Sequence, residues 1–118
     1  MRIRTGKFYD GTLDAPKSNV ILTIRDGKLQ SVEAADGAAS DREAAAVVPG
    51  LINAHVHLEM NGEGQTLRVH IMRNEEQRLL ACVESAQKGL RAGVTALRDL
   101  GSSGHNNVEV RNAVRSGQ

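Results

Sequence analysis

At Pro49-Gly50 the chain changes from one hydrophobic pattern to another, and this switch limits its possible folds more than any other feature. Before it, short apolar runs alternate with polar residues and are broken by Asp-Gly and Pro punctuation. After it, strand-length apolar runs take turns with segments of helical period. Strand–helix–strand–helix order calls for parallel strands joined by right-handed crossovers, as at the start of an α/β sheet or barrel. The chain is therefore expected as two parts, residues 1–48 and 49–118.

Residues 1–48 read as β structure. "NVILTI" (19–24) and "KLQSVEA" (28–34) flank Asp26-Gly27, a dipeptide suited to a tight hairpin because glycine accepts positive φ. Val20, Leu22 and Ile24 alternate with Ile21, Thr23 and Arg25, which predicts one apolar face. "DGTLDAP" (10–16) has the Asp, Gly and Pro of a loop. "AADGAASDREAAA" (34–46) is Ala-rich and weakly patterned, consistent with a loop or a short helix.

In the second part, "LINAHVHL" (51–58) reads as a strand buried on both sides, and residues 59–73, with Gly62 and Gly64, as a mobile loop. Asn74 and Gln77 stand at capping-box spacing, and Leu79, Val83, Ala86 and Leu90 recur at helical spacing up to Gly93, a suitable C′ residue. "VTALRDLG" (94–101) is the next strand and its exit. "SSGHN" (102–106) is a loop. A second helix runs from Asn106 or Asn107 to Ser116, with Glu109 three residues after Asn106 and Gly117 closing it.

The chemistry gathers at the end of the first of these strands. Side chains at i and i+2 share a face, so His55 and His57 point together, with Leu51 and Asn53. Neutral imidazoles are good ligands for zinc and other first-row divalent ions. Two of them at a strand's C-terminal end make half of a metal site, and in parallel barrels that end is where chemistry sits. The alternative is a pair of partly buried histidines satisfied by hydrogen bonds. The Pro-Gly entry, the apolar strand and the position at its exit favour the metal.

"VVPGLINAHVHLE" (47–59), followed by "LRAGVTALRDLG" (90–101), resembles the amidohydrolase superfamily, near its imidazolonepropionase-like and dipeptidase-like members. "FYDGTLDAPKSNVILTIRDGKLQSV" is similar to the small β-sandwich segment that precedes the barrel there. The resemblance runs through nearly the whole chain in order. It implies an α/β fold, in which an N-terminal β-sandwich segment (1–48) precedes the first two βα units of an incomplete TIM-type barrel (49–118). It also implies that His55 and His57 bind the catalytic divalent metal, zinc being the usual ion. The reaction it implies is hydrolysis of a carbon–nitrogen bond in a cyclic amide, amidine or small peptide-like substrate.

Other residues near the strand ends are weighed against plainer roles. Asp99 is either a group behind the site that anchors its loop or a carboxylate paired with a nearby Arg. His70 and His105 both read as loop histidines that are solvated rather than ligating, and His105, which follows the second strand and faces the active-site end, is the better substrate-contact candidate of the two. Glu59 either reaches the pocket mouth or is an exposed loop glutamate. Cys82 suits a small buried helix residue better than a nucleophile. No residue of this chain is assigned as the proton-shuttling catalytic group.

The chain stops at Gln118, after two βα units, whereas a full barrel takes ~250 residues. The expectation is an N-terminal piece of an amidohydrolase, inactive alone, with further ligands outside it. The alternatives are a non-catalytic or split-barrel subunit needing a complementary chain or a second copy, and a truncated product without function.

Composition excludes other classes. Apolar residues make up 40% and charged residues 25%, with a net charge of +1, which is the balance of a globular domain. No basic block with interleaved aromatics supports nucleic-acid binding, and no apolar run approaches the ~20 residues of a membrane helix. The N-terminal "MRIRTGKFYDG" lacks the apolar segment of a secretory signal. The lone Cys82 fits a reducing compartment, so a cytoplasmic location is expected. Aromatics are only 2% of the chain, leaving Val, Ile, Leu and Ala to form an incomplete core.

Overall fold

The computed structural model describes residues 1–12, 14–60, 62, 64 and 67–118, without the side chain of Leu67. It divides into two compact units, Met1–Pro49 and Gly50–Gln118.

The first unit is one four-stranded sheet of order β3-β2-β1-β4, built from β1 (Arg2–Phe8), β2 (Lys17–Arg25), β3 (Lys28–Ala34) and β4 (Arg42–Val47). The expected hairpin is present: β2 and β3 pair antiparallel, with Arg25 opposite Lys28. Asp26 and Gly27 both hold positive φ, 52° and 72°. This is the backbone of a type I′ turn, whose twist matches that of the strands it joins.

Two readings of this unit are corrected. The Ala-rich stretch 34–46 is neither wholly loop nor helix, because Arg42–Val47 forms β4, parallel to β1 from Ile3–Arg42 to Phe8–Val47. Alanine has no strand preference of its own, so the open edge of β1 decides its state. The apolar side of β2 is also not confined to one face: Val20 and Leu22 are buried, and so is Ile21 at 1% exposure. The core is Phe8, Val20 and Leu22, with Ile3, Val32 and Val47 packed against it. The sandwich expected here is a single sheet in this unit. Within the expected 10–16 loop, residue 13 lies outside the described residues.

The second unit runs β5 (Leu51–Val56), α1 (Leu67–Met72), α2 (Glu75–Arg91), β6 (Val94–Asp99) and α3 (Asn106–Ser116). As the alternating order requires, β5 and β6 are parallel, with Leu51 opposite Val94 and Val56 opposite Asp99. A register shift between Asn53 and Val56 lies just before the histidine end of β5.

α2 starts and stops where its sequence says it should. The Asn74 side chain accepts the Gln77 N–H while the Gln77 side chain accepts the Asn74 N–H, which satisfies two otherwise orphaned donors. Glu75 and Glu76 in the first turn and Lys88 and Arg91 in the last oppose the helix dipole. A Glu84–Lys88 pair at 3.0 Å adds a few tenths of a kcal/mol.

Its buried face differs from the expected stripe. Leu79 and Ala86 do pack inward, but Val83 and Leu90 are exposed, and the centre of the face is Ala81 and Cys82. The core is Leu58, Cys82 and Val110, with Val56, Leu79 and Ala86 against it. Each fully buried Leu or Val contributes about 1.5–3 kcal/mol, so this cluster ties the end of β5 to α2 and α3.

β5 is not buried on both sides. Leu51 is 55% and Ile52 76% exposed, because a two-stranded sheet has too few neighbours to cover its faces. The region expected as loop, 59–73, contains α1, which carries His70. Residues 61, 63, 65 and 66 of that region lie outside the described residues. No described helix is long and apolar enough to cross a membrane.

Candidate metal centre

The two histidines meet where β5 ends. Their ring centroids are 5.4 Å apart with planes at 74°, an edge-to-face arrangement. The His55 backbone N–H donates to Asn53 Oδ1 at 3.1 Å. The His57 ring bonds through Nδ1 to the Gly101 carbonyl at 3.0 Å. A carbonyl only accepts, so Nδ1 is the donor, and in the neutral imidazole this is the tautomer whose Nε2 keeps its lone pair. Histidines that bind metals are held in this way, with the second nitrogen donating to a carbonyl or carboxylate.

Two carboxylates brace the backbone around this pair. Asp99 Oδ2 accepts the Leu58 N–H at 2.9 Å and Oδ1 accepts the Gly101 N–H at 2.8 Å. It joins the exits of β5 and β6, so the Arg-paired reading gives way to the loop anchor. The neighbouring Arg98 instead donates through Nε to the Ala54 carbonyl.

Glu59 is 2% exposed, which corrects its reading as an exposed loop glutamate. Oε1 accepts from Ser102 Oγ at 2.7 Å, Ser103 N–H at 2.8 Å and Asn106 Nδ2 at 3.1 Å. Burial pushes its pKa up, but the hydrogen bonds from Asn106, Ser102 and Ser103 together outweigh it and hold the carboxyl below its ordinary value.

His70 is also corrected. It is not a solvated loop residue: its side chain is 17% exposed, with Nε2 3.5 Å from Glu59 Oε2. Arg73, just beyond α1, donates to the Glu59 carbonyl at 2.9 Å.

An open cleft of about 250 Å³ is lined by His57, Glu59, Met60, His70, Gly101, Ser102 and Ser103. His105 is not among these residues. It is the exposed N-cap of α3 and makes no side-chain cap bond. Asn106 is the first residue of α3, one of the two starts expected for this helix, and its side chain is turned in to Glu59. Sequence reasoning missed Ser102, Ser103 and Asn106 as partners of Glu59. The available signal was their position after β6, at the same strand end as the histidines.

The donor set suits a borderline divalent ion: two imidazoles, one of them already oriented by the Gly101 carbonyl. Among the described residues no group of three or more His, Cys, Asp or Glu is arranged to hold a metal. His55 and His57 thus fit part of such a centre.

Solved structures similar to this chain include a Xaa-Pro dipeptidase with bound methionine in its active site. That match has 24% identity and a TM-score of 0.81, and covers 98% of this chain and 30% of that one. Molinate hydrolase matches at 27% identity and a TM-score of 0.79, covering 98% and 27% of the two chains. An ochratoxinase from A. niger matches at 21% and 0.75, covering 98% and 28%. The chain therefore spans under a third of the length of these relatives. A comparison with curated proteins found no significant match. The sequence profile of the amidohydrolase family matches residues 46–118, a span that includes both histidines, both bracing carboxylates and the two parallel strands. By this match over more than half its length, the chain belongs to the amidohydrolase family.

Proposed function

We propose that this chain supplies the first two ligands, His55 and His57, of a metal-dependent hydrolase acting on carbon–nitrogen bonds. The observation that carries the proposal is the His57 Nδ1 bond to the Gly101 carbonyl, which selects the neutral tautomer with Nε2 available to a ligand, in a ring whose centroid is 5.4 Å from that of His55. Zinc is the expected ion. When bound, it supplies Lewis-acid polarisation of the scissile carbonyl and lowers the pKa of water. His55 and His57 hold and orient it, and Asp99 keeps the two strand exits together. Catalytic zinc sites usually have three protein ligands, so at least one more comes from outside the described residues. Support for the bond type is the family and the dipeptidase among the structural relatives. The substrate is proposed as a small amide.

The test is a zinc titration of the chain read by its imidazole resonances. His55 and His57 should shift together and weakly, with His105 unmoved, and without measurable amide turnover. Zinc binding that persists undiminished in His55→Ala and His57→Ala overturns the proposal.

A second reading, a subunit or segment completed by further polypeptide, is supported by the exposed Leu51 and Ile52 and the unpaired edges of the β5–β6 sheet. Sedimentation at micromolar concentration should show self-association. A single monomer with one sharp thermal transition counts against it.

A further inference from the structure

Burying a carboxylate is costly unless hydrogen bonds replace the water it loses. Glu59 is buried two residues past His57, and its three Oε1 donors are not scattered. Two of them, Ser102 Oγ and Ser103 N–H, belong to the residues that directly follow Gly101. The Gly101 carbonyl is the group on His57 Nδ1. A side chain at residue 101 would meet His57 Cε1 and Nδ1 at 3.3 Å, so this loop lies directly on the imidazole.

Glycine leaves its backbone dihedrals loosely restrained. Asp99 holds the Gly101 N–H, but that alone lets the carbonyl swing about the ψ of Gly101. The far side of the same peptide is fixed by the Glu59 bonds to Ser102 and Ser103. If the carbonyl swings away, nothing among these contacts favours Nδ1–H over Nε2–H.

We propose that Glu59 is a positioning residue. By gripping Ser102 and Ser103 it keeps the Gly101 carbonyl on His57 Nδ1, and so fixes the tautomer whose Nε2 lone pair is free for a ligand. The consequence for metal binding rests on the reading of His57 as a ligand. The tautomer itself is independent of that reading and is measured without metal.

The experiment uses the full chain, 15N-labelled and metal-free, and assigns the His57 tautomer from two-bond 1H–15N correlations above neutral pH. The parent should show Nδ1–H. Glu59→Ala should lose this preference, and Glu59→Gln should retain it, because Gln Oε1 still accepts from the same donors. In a parallel zinc titration, Glu59→Ala should bind about 10- to 100-fold more weakly than the parent, the usual loss when an outer partner of a metal ligand is removed. If Glu59→Ala does not fold, Ser102→Ala, which removes one donor, should shift the tautomer part of the way.

A folded Glu59→Ala that keeps the Nδ1–H tautomer overturns the proposal. So does a Ser102→Ala without effect where Glu59→Ala is unfolded, and so does Glu59→Gln behaving like Glu59→Ala. A tautomer shift in a chain whose parent binds no zinc supports the positioning role and removes the metal reading instead.

Discussion

Asp99 accepts the backbone N–H of Leu58 at 2.9 Å, joining the end of β6 to the residue after His57. Its other oxygen takes the Gly101 N–H. Leu58 also belongs to the core with Cys82 and Val110, so one carboxylate couples the packing of the second unit to the geometry of its histidines.

Asp99→Ala should leave both N–H groups without their charged acceptor. Hydrogen bonds to charged groups contribute about 1.5–3 kcal/mol each, less where water can replace the acceptor. Because Asp99 is half-buried, a loss of about 2 kcal/mol is expected. Urea unfolding followed by circular dichroism measures it, and a midpoint equal to that of the parent would show that the brace carries no stability.

Gly50→Ala should destabilise the β5–β6 pair. A Cβ at residue 50 would overlap Thr95 Oγ1 and Cγ2 and lie 2.7 Å from Thr95 Cβ. Overpacking of this kind costs about 1–3 kcal/mol. Thr95→Ala in the same chain removes two of the three clashing atoms and should recover part of the loss. Thermal melts of the single and double variants test this, and equal melts for both would argue against the clash.

Acidification should weaken the second unit through Glu59. Its folded pKa lies below the ordinary value of 4.5, so the folded state favours the ionised form. The resulting stability is present above pH 4.5 and is lost as pH falls through the lower folded pKa. Glu59→Gln should flatten that slope. Urea midpoints from pH 6 downward read the difference, and parallel curves for parent and variant would contradict it.

Cys82 should be unreactive in the folded chain. It is fully buried, and burial, reinforced by the negative charges of Glu59 and Asp99, pushes its thiol up to about 11 from 9.0. A raised folded pKa means that its contribution to stability is intact below pH 9.0 and is lost as pH rises toward about 11. At neutral pH a thiol reagent should label it only as fast as the unit opens. Labelling at the rate of an unfolded control would refute this.

Local signals placed much of the fold. Asp26-Gly27 sets its hairpin because both residues hold positive φ, and Asn74 with Gln77 sets the start of α2 through bonds confined to four residues. The period-2 spacing of His55 and His57 brings their rings together for the same kind of reason. Such features depend on residues close in sequence, so they are legible before any folding is known.

Other features depend on partners far along the chain. β4 exists because β1 offers an edge to an Ala-rich segment with no strand preference of its own. Val83 and Leu90 keep helical spacing, yet the second unit's core meets α2 around Cys82 instead, leaving both exposed. In the sequence Glu59 could be a pocket-mouth group or an exposed loop glutamate. Its burial depends on Ser102, Ser103 and Asn106, more than forty residues away, which come into reach only when parallel pairing brings the ends of β5 and β6 together. Hydrogen bonds act over about 3 Å. Spacing along the chain therefore sets which residues face the same way, whereas which distant groups come within that reach follows from how the strands pair.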